Sequence, residues 1–427
     1  MNITALKGFK DILPEEALLW QRIEATARDV FQRFGFREIK VPILEKTTLF
    51  ARSIGETTDI VEKEMYTFVD RNGESLTMRP EGTASVLRSF IEHSLHNQQP
   101  VQKLFTFGPM FRHERPQKGR LRQFHQISIE ALGANQPELD IEIMAMASMV
   151  LTELGLSVSL EINSLGCPQC RPAFNQALLL FLEDKKDDLC EDCQRRRLKN
   201  PLRVLDCKNS HCQEHYRLAP SILDHLCPEC ASHFQTVQDG LTSLEIPFTT
   251  NSFMVRGLDY YTRTTFELLT DSLGAQSAVG AGGRYDGLIK QLGGPDLPGI
   301  GFAMGMERLV LMLQQQATDQ ALPASGLFIA ALGDKARAAG FAMAQALRRR
   351  GLQVLMDYAG ASLKSQMKQA GKQNCRHTLI IGDDELERGE GTWRDMISRD
   401  QQAIPLPGEL SAWSAMVVQR ILSDQDS

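Results

Sequence analysis

The stretch from Phe105 to Glu130 constrains the fold of this 427-residue chain more than any other. It contains two β-rich runs separated by a long charged loop, which predicts a hairpin within an antiparallel sheet. Side chains alternate between the two faces of a strand. In the second run the apolar face carries Ile127, Ile129 and Ala131, and the opposite face carries Phe124, Gln126, Ser128 and Glu130. The pattern therefore predicts one core face and one face lined with hydrogen-bonding groups.

The loop of this hairpin is strongly basic. Its only acid is Glu114, against the five basic side chains of Arg112, Arg115, Lys118, Arg120 and Arg122. Guanidinium groups bind phosphate and carboxylate oxygens in a bidentate manner, and an aromatic ring such as that of Phe124 offers a surface for stacking a base. The combination predicts a nucleotide bound over the sheet. A loop whose charges are merely solvated is the alternative that these residues alone leave open.

Five short segments resemble a known family. Phe111–Glu114 followed by Arg120–Phe124 resembles the second signature motif of class II aminoacyl-tRNA synthetases, and Gly301–Leu309 resembles the third. RGLDYY at Arg256–Tyr261 and AGGRYDGL at Ala281–Leu288 resemble the two histidine-specific motifs of the histidyl-tRNA synthetase family. The resemblance covers nearly the whole chain.

The resemblance implies an α+β fold, in which a class II antiparallel sheet is flanked by helices. It implies a catalytic domain over 1–165 and 235–320, a helical cysteine-rich insertion over 166–234 and a C-terminal α/β anticodon-binding domain over 326–427. The polar stretch Gln314–Ser325 is predicted to be a linker. A continuous strand is predicted from Arg37, with Pro42 at a sheet edge or bulge. In the family this first motif builds the dimer interface, which implies a homodimer. The alternating pattern after the linker predicts a small parallel sheet with helices.

The resemblance also implies the activity and the residues that perform it. The family uses ATP and Mg²⁺ to activate L-histidine as histidyl-adenylate, and then transfers it to tRNA(His), releasing AMP and diphosphate. Arg112 and Arg256 are expected at the α-phosphate and the substrate carboxylate. The remaining ATP contacts are expected from Glu114, Arg120, Phe124 and Arg308. Histidine contacts are expected from Glu81, Thr83 and Gln126 at the amino group, from Glu130 and Tyr261 at the ring nitrogens, and from Tyr260 and Tyr285 as pocket lining.

Local chemistry offers plainer interpretations of some of these residues. Glu81 and Thr83 stand where a helix begins, and both residue types are common in a first helical turn. Arg308 stands near another helix start, where a lone arginine is normally a surface residue. A catalytically silent relative, the regulatory subunit of ATP phosphoribosyltransferase, is an alternative for the whole chain. It would lack the C-terminal domain and lose the motif arginines that this chain keeps.

Eight of the nine cysteines fall between Cys167 and Cys230. They form four pairs with the spacing of structural zinc ligands: Cys167/Cys170, Cys190/Cys193, Cys207/Cys212 and Cys227/Cys230. The spacing predicts up to two four-sulfur zinc sites, with free thiols as the alternative. His211 and His215 are possible replacements for a sulfur or ordinary surface histidines.

Composition excludes several other classes of protein. The chain has no apolar run of 18 residues and no secretory apolar segment at its N-terminus, which predicts a cytoplasmic protein without a membrane span. A formal net charge of -6 gives no overall attraction to RNA, so tRNA contacts must come from local patches. One basic run, Arg195–Lys199, is either a solvated face or a surface for the acceptor arm of tRNA.

Overall fold

The computed structural model describes residues 2–55, 58, 60–207, 209–276, 278–316 and 326–423. The chain divides into two compact units, Met1–Thr318 and Asp319–Ser427. Each unit has its own apolar core. Within the described residues, every helix is too short or too polar to span a bilayer.

The first unit mixes strands and helices along the chain. Its strands are β1 (Arg37–Glu38), β2 (Leu44–Lys46), β3 (Tyr66–Val69), β4 (Ser75–Met78), β5 (Gln102–Phe111), β6 (Gln123–Leu132), β7 (Ser159–Ser164), β8 (Phe248–Thr250), β9 (Thr262–Leu269), β10 (Ala278–Arg284) and β11 (Gly299–Gly305). Its helices are α1 (Pro14–Arg33), α2 (Thr47–Ile54), α3 (Thr83–Glu92), α4 (Pro137–Glu153), α5 (Arg171–Asp184), α6 (Glu191–Lys199), α7 (Ser210–Tyr216), α8 (Pro228–Ser243), α9 (Leu288–Gln291) and α10 (Met306–Gln316).

The main sheet of this unit has eight strands in the order β1-β5-β6-β11-β10-β9-β7-β8. Its five central pairings are antiparallel, and only the two edge pairings, β1/β5 and β7/β8, are parallel. A separate antiparallel sheet of three strands has the order β2-β4-β3. The predicted α+β class with an antiparallel sheet flanked by helices is confirmed.

One face of the main sheet is covered by helices α1, α4 and α10, whose apolar side chains form the core with the sheet. Ile127, Ile129 and Ala131 of β6 are fully buried in this core, as the alternating pattern predicts. Truncating a buried isoleucine to alanine costs about 2–5 kcal/mol, so this apolar face fixes which side of β6 points inward. The polar side chains of β6 consequently line the opposite face.

A buried ionic network ties three elements of this unit together. Arg284 at the end of β10 and Asp140 on α4 are both fully buried, with Arg284 Nε 2.7 Å from Asp140 Oδ1. Arg284 also donates to the carbonyls of Ala134 and Gln136. His233 on α8 lies with Nε2 2.8 Å from Asp140 Oδ2. Buried charges are tolerated when they are paired and hydrogen-bonded in this way.

The predicted continuous strand from Arg37 is wrong, because it is broken into β1 and β2. Pro42 lies in the break and has no N–H to donate to a ladder. The carbonyls on either side are satisfied by Arg79, which donates Nη1 to the carbonyl of Val41 (3.1 Å) and its backbone N–H to that of Ile43 (2.9 Å). Buried Arg79 thus provides hydrogen-bond donors for the two backbone carbonyls that flank Pro42.

The insertion is helical, as its composition predicts, with an apolar cluster of its own. Phe174, Leu178 and Leu182 of α5 are fully buried in that cluster together with Val204. Helix α8 runs past residue 234, so the predicted boundary at that point lies within a helix. The division of the chain into domains stays a prediction.

The second unit contains β12 (Leu327–Leu332), β13 (Val354–Met356), β14 (His377–Gly382), β15 (Glu390–Asp395), β16 (Gln401–Pro405), α11 (Asp334–Arg348), α12 (Leu363–Lys372), α13 (Asp383–Arg388) and α14 (Leu410–Ser423). Its sheet order is β13-β12-β14-β15-β16. The first three strands are parallel, but β15 and β16 add an antiparallel hairpin. The predicted small parallel sheet is confirmed for β12, β13 and β14. The sequence analysis did not predict the added hairpin, which Trp393 and Ile404 bury against the core. Of the predicted linker, Gln314–Gln316 end α10, and residues 317–325 lie outside the described residues.

Candidate active site

A cleft of about 480 Å³ lies over the polar face of the main sheet. This volume lies in the range of pockets that hold small ligands. Of the sequence-predicted site residues, the cleft is lined by Glu81, Thr83, Arg112, Glu114, Arg120, Phe124, Gln126, Arg256, Tyr260, Tyr261, Tyr285 and Arg308. The exception is Glu130, which lies buried at the base of the cleft and bonds to Tyr285. Segments far apart in the sequence thus converge on one space.

Three guanidinium groups make one end of the cleft positive. Burial and the neighbouring charges of Arg120 and Arg112 lower the pKa of Arg308. Glu114 neutralises part of this charge, through its ion pair with Arg120. Like charges held this close favour an anionic ligand, because the ligand relieves their mutual repulsion.

Arg112 also contacts the predicted adenine platform. Its guanidinium carbon lies 5.3 Å from the centre of the Phe124 ring, in a cation–π arrangement. Its Nε donates to the carbonyl of Pro80 at 2.9 Å, which fixes the side chain. In this structure one face of Phe124 is therefore covered by Arg112, and a base would stack on the other face.

Arg256 lies between a carboxylate and an aromatic ring. It pairs with Glu267 on β9, and its guanidinium carbon lies 5.4 Å from the centre of the Tyr261 ring. Glu267 lines the cleft but escaped the sequence analysis. Its signal in the sequence is weak, since it is one acid within the apolar run TFELL, and only the folded chain brings it to Arg256.

Several polar atoms on the cleft floor have no partner. Gln126 Oε1, Ser128 Oγ and Arg256 Nε are buried and lack a hydrogen bond among the described residues. A buried polar group left unsatisfied costs about 1–3 kcal/mol. A ligand with complementary donors and acceptors would recover this free energy, so the floor of the cleft is built for a polar ligand.

A second part of the cleft combines three tyrosines with two acids. The rings of Tyr260 and Tyr285 have centroids 5.7 Å apart, and Tyr285 donates its hydroxyl to Glu130 Oε2. Burial raises the pKa of Glu130 from 4.5 to about 8, against hydrogen bonds from Thr83 and Tyr285 that lower it. Burial thus favours the protonated form of the Glu130 carboxyl.

Glycines on β10 and β11 allow close approach around this acid. A Cβ on Gly301 would lie 2.2 Å from Glu130 Oε2, and a Cβ on Gly282 would lie 2.3 Å from the carbonyl oxygen of Gly301. Gly301 escaped the sequence analysis as a site residue, since only the pairing of β11 with β6 brings it beside Glu130. The expected close backbone approach at Gly280, Gly282 and Gly283 is present.

Glu81 caps a helix and borders the cleft at the same time. Its carboxylate accepts from the backbone N–H groups of Thr83 (2.7 Å) and Ala84 (2.8 Å) at the start of α3. The capping interpretation is therefore correct in geometry. Burial raises the pKa of Glu81, and these hydrogen bonds oppose that rise. Because Glu81 also lines the cleft, capping does not exclude contact with a ligand ammonium.

The eight cysteines form two groups of four. One group joins the first and last pairs, Cys167/Cys170 with Cys227/Cys230, and the other joins the two middle pairs, Cys190/Cys193 with Cys207/Cys212. Within each group all sulfurs lie within 4.8 Å of one another. Sulfur separations of 3.6, 3.9 and 3.8 Å occur for Cys167–Cys170, Cys167–Cys227 and Cys190–Cys207. Tetrahedral zinc with bonds of about 2.3 Å needs sulfurs about 3.8 Å apart, so both groups fit the ion. His211 and His215 belong to neither group.

Fold and site together define a class II aminoacyl-tRNA synthetase, because an arginine-lined cleft covers the polar face of an antiparallel sheet. A family model described as histidyl-tRNA synthetase matches residues 8–309, and one described as anticodon binding domain matches 327–410. The chain belongs to the histidyl-tRNA synthetase family. It is thus an aminoacyl-tRNA ligase, and membership of this class implies the use of ATP and Mg²⁺.

Individual relatives agree with this assignment over almost the full length. The histidine–tRNA ligase of Desulfotalea psychrophila is 58% identical over 421 residues, covering 98% of this chain and 97% of that protein. The histidine–tRNA ligase of Geobacter sulfurreducens is 57% identical over 412 residues, covering 96% and 99%. The crystal structure of apo histidyl-tRNA synthetase from S. aureus has a TM-score of 0.81 at 36% identity, covering 97% of this chain and all (100%) of that one.

Proposed function

We propose that this chain joins L-histidine to tRNA(His) in two steps. A carboxylate oxygen of histidine attacks the α-phosphorus of ATP, the bond to the bridging oxygen breaks, and diphosphate leaves. A terminal ribose hydroxyl of tRNA(His) then attacks the carbonyl carbon of the adenylate, and AMP leaves. The observation that carries this proposal is the convergence of a guanidinium cluster and an acid-and-tyrosine pocket in one cleft.

The chain's own contribution to the first step is positioning and charge neutralisation. Arg112 and Arg256 hold the α-phosphate and the substrate carboxylate as negative charge develops on the phosphoryl oxygens. Arg120 and Arg308 bind the distal phosphates, which become the leaving diphosphate. Phe124 stacks the adenine. Support comes from the burial of Arg308 beside Arg120 and Arg112, because burial and these two positive charges lower the pKa of Arg308.

Mg²⁺ enters this site with the phosphates of ATP and prefers hard oxygen ligands. The carboxylate of Glu267 lines the cleft and fits this preference, although it is paired with Arg256. When bound, the ion supplies further neutralisation of phosphate charge. Glu267 is the residue that would hold it, beside its ion-pair partner Arg256.

Recognition of histidine needs a partner for each ring nitrogen and one for the amino group. Glu130 and Tyr261 bind the ring nitrogens, and Glu81, Thr83 and Gln126 bind the ammonium. Tyr260 and Tyr285 line the pocket. The unpartnered Gln126 Oε1 and the carboxylate of Glu81 at the cleft support an ammonium at this end.

Exchange of pyrophosphate with ATP, measured with each amino acid in turn, tests the reaction. We expect exchange with L-histidine alone, followed by charging of one acceptor in bulk tRNA. A polar pocket of this kind rejects substrates that lack the partner atoms by roughly 10⁴–10⁵-fold. Exchange with another amino acid at a comparable rate, or no exchange at all, would contradict the proposal.

The regulatory-subunit alternative is not favoured. A structure titled as an ATP phosphoribosyltransferase regulatory subunit/histidyl-tRNA synthetase from Bacillus halodurans matches with a TM-score of 0.64, but at 19% identity it shows the fold alone. The relatives above 50% identity are histidine–tRNA ligases over nearly their full length. The chain also keeps Arg112, Arg256, Tyr261 and Arg308 together in the cleft.

The two four-sulfur groups are proposed to hold one structural Zn²⁺ each. Elemental analysis of protein purified without chelator is expected to give about two zinc per chain, because two complete ligand sets are present. A Cys193→Ser variant should lose about one equivalent, with Ser232→Ala, outside both sets, as the control. Less than about half an equivalent in the wild type would leave free thiols as the correct interpretation.

A homodimer and the cytoplasmic location stay proposals. Large apolar side chains are exposed on the three-stranded sheet and on the residue before β2. Between 40% and 68% of each is accessible for Ile43, Leu44, Phe68 and Val69. Several large apolar side chains exposed on one small sheet support a dimer formed through the first motif. The basic run of the insertion is partly neutralised, since Arg195 pairs with Asp192 and Arg197 with Glu183. Contact of that run with tRNA also stays a prediction.

A further inference from the structure

The first four-sulfur group lies beside the backbone that carries the histidine pocket. Arg171 directly follows Cys170 and donates Nη2 to the backbone carbonyl of Tyr261. Its Nε lies 3.5 Å from the carbonyl of Leu165, so one side chain bridges the entry of the insertion and the start of β9. Arg171 is a charged group mostly withdrawn from solvent, and these carbonyls are the partners that its buried donors require.

A second link leaves the same group of cysteines from its other end. Glu229 directly precedes Cys230 and pairs with Arg263 at 2.5 Å. Arg263 has φ 48°, a left-handed conformation that is unfavourable for a residue with a side chain. Its backbone N–H donates to the carbonyl of Gly166 (2.9 Å), and its carbonyl accepts from the N–H of Leu165 (2.7 Å). The surroundings of the cysteine group thus hold Arg263 in a conformation that it would not adopt alone.

The residues held in this way face the candidate site. Tyr261 lines the cleft, and its ring lies under the guanidinium of Arg256. The ring of Tyr260 packs against it with centroids 4.7 Å apart. A shift of the backbone at Tyr261 would therefore displace the phenol that is proposed to contact the imidazole of histidine.

We infer that the zinc site formed by Cys167, Cys170, Cys227 and Cys230 is a positioning element for histidine binding. When bound, the ion would hold the two chain segments that carry Arg171 and Glu229. The contacts of Arg171 with Tyr261 and of Glu229 with Arg263 then position the turn from Tyr261 to Arg263. This inference rests on the proposed function and on zinc occupancy. Without the ion, four sulfurs that lie within 4.8 Å of one another would lose the bonds that hold them together. The turn would then be held only by the hydrogen bonds and the ion pair described above.

The insertion has an additional attachment that makes the test specific. Arg203 donates to Asp259 Oδ1 through Nε (3.1 Å) and Nη2 (2.9 Å), and Asn200 donates to the same oxygen. Loss of the Arg171 contact should therefore leave the insertion attached. Its effect should be local to Tyr261.

Arg171→Ala in the zinc-loaded full chain tests the inference by pyrophosphate exchange. We expect the KM for histidine to rise about tenfold while the KM for ATP stays within about twofold, because an unpaired carbonyl at Tyr261 disturbs the amino acid pocket and not the phosphate site. Arg171→Lys keeps one donor for the carbonyl and should recover most of the loss. Arg217→Ala, an exposed arginine of the same insertion, is the matched control and should leave both KM values unchanged.

Two further measurements separate positioning from loss of the metal or of the fold. The Co²⁺-substituted Arg171→Ala protein should keep the thiolate-to-metal absorption of the wild type, which places its defect beyond the metal site. Calorimetric titration of L-histidine into zinc-loaded and zinc-stripped wild type should give weaker binding in the stripped protein.

An unchanged histidine KM in Arg171→Ala, equal rises of both KM values, or equal histidine affinity with and without zinc would overturn the inference. Absence of histidine-dependent exchange in the wild type would instead contradict the proposed function. The calorimetric comparison would still test whether zinc strengthens histidine binding.

Discussion

Replacing Arg256 by alanine is expected to lower kcat for histidine-dependent pyrophosphate exchange by about 10²–10³-fold, the loss typical of removing one group that stabilises transition-state charge. The guanidinium lines the cleft between Glu267 and the Tyr261 ring, where few water molecules could replace it. Its loss also leaves the Glu267 carboxylate without its ion-pair partner in the cleft. The effect should fall mainly on kcat, because charge on the phosphoryl oxygens is largest in the transition state.

Arg256→Lys provides the matched comparison for this prediction. Lysine keeps the charge but not the planar fork, so it should recover part of the rate. Arg217→Ala serves as the exposed control in the same assay. If Arg256→Ala retains exchange within about threefold of the wild type while folded, Arg256 does not act at the reacting phosphate.

Replacing Glu130 by glutamine is expected to lower kcat/KM for histidine by about 10²-fold, since a buried donor left without an acceptor costs about 1–3 kcal/mol. The amide has the same shape, but its one oxygen would accept from Tyr285, as Glu130 Oε2 does. The amide N–H₂ would then face the imidazole, and the ring N–H would have no acceptor. ATP-dependent pyrophosphate exchange at varied histidine concentration measures this loss.

The same substitution has a consequence for stability with a definite sign. The pKa of Glu130 is raised by burial from 4.5 to about 8, so the folded protein holds a proton that the unfolded chain releases in this interval. The stabilising contribution of Glu130 is therefore complete below about pH 4.5 and is lost as the pH rises toward 8. In melting temperatures measured without ligand, the difference between the two proteins should shift in favour of the glutamine variant as the pH rises from 5 to 8. A constant difference across this range would show that Glu130 is not the buried neutral acid described above, and near-normal exchange would remove it from the histidine site.

The sequence predicted most of what alternation and spacing determine. The two faces of β6 follow directly from the period of two, and the motif residues identify a cleft whose lining contains nearly all of them. Gly301 escaped because its importance depends on strand register, which places it opposite Glu130. Glu267 escaped because its partner, Arg256, lies on a connecting segment outside the strands. Register is fixed by the folded sheet and not by the composition of one strand.

Two other features lay outside what local patterns specify. The spacing of the cysteines indicated zinc ligands but left the grouping open. Cys167 and Cys227 are 60 residues apart in the sequence, and only the folded chain brings them together, near the starts of α5 and α8. Pro42 indicated a sheet edge or a bulge, whereas the strand is interrupted there and Arg79 donates to the carbonyls on either side of the proline. Long-range partners of this kind have no signature in a single sequence.

The buried network of Arg284, Asp140 and His233 restricts how this chain can diverge. A change at one of the three positions leaves an uncompensated group in a site that water cannot reach, with a typical cost of about 3–5 kcal/mol for a broken buried ion pair. Homologues that retain the helix and strand geometry should therefore keep all three side chains or exchange them as a set for apolar ones. Arg284 also lies inside the AGGRYDGL segment, so one side chain of what looks like a substrate signature acts in the interior of the fold.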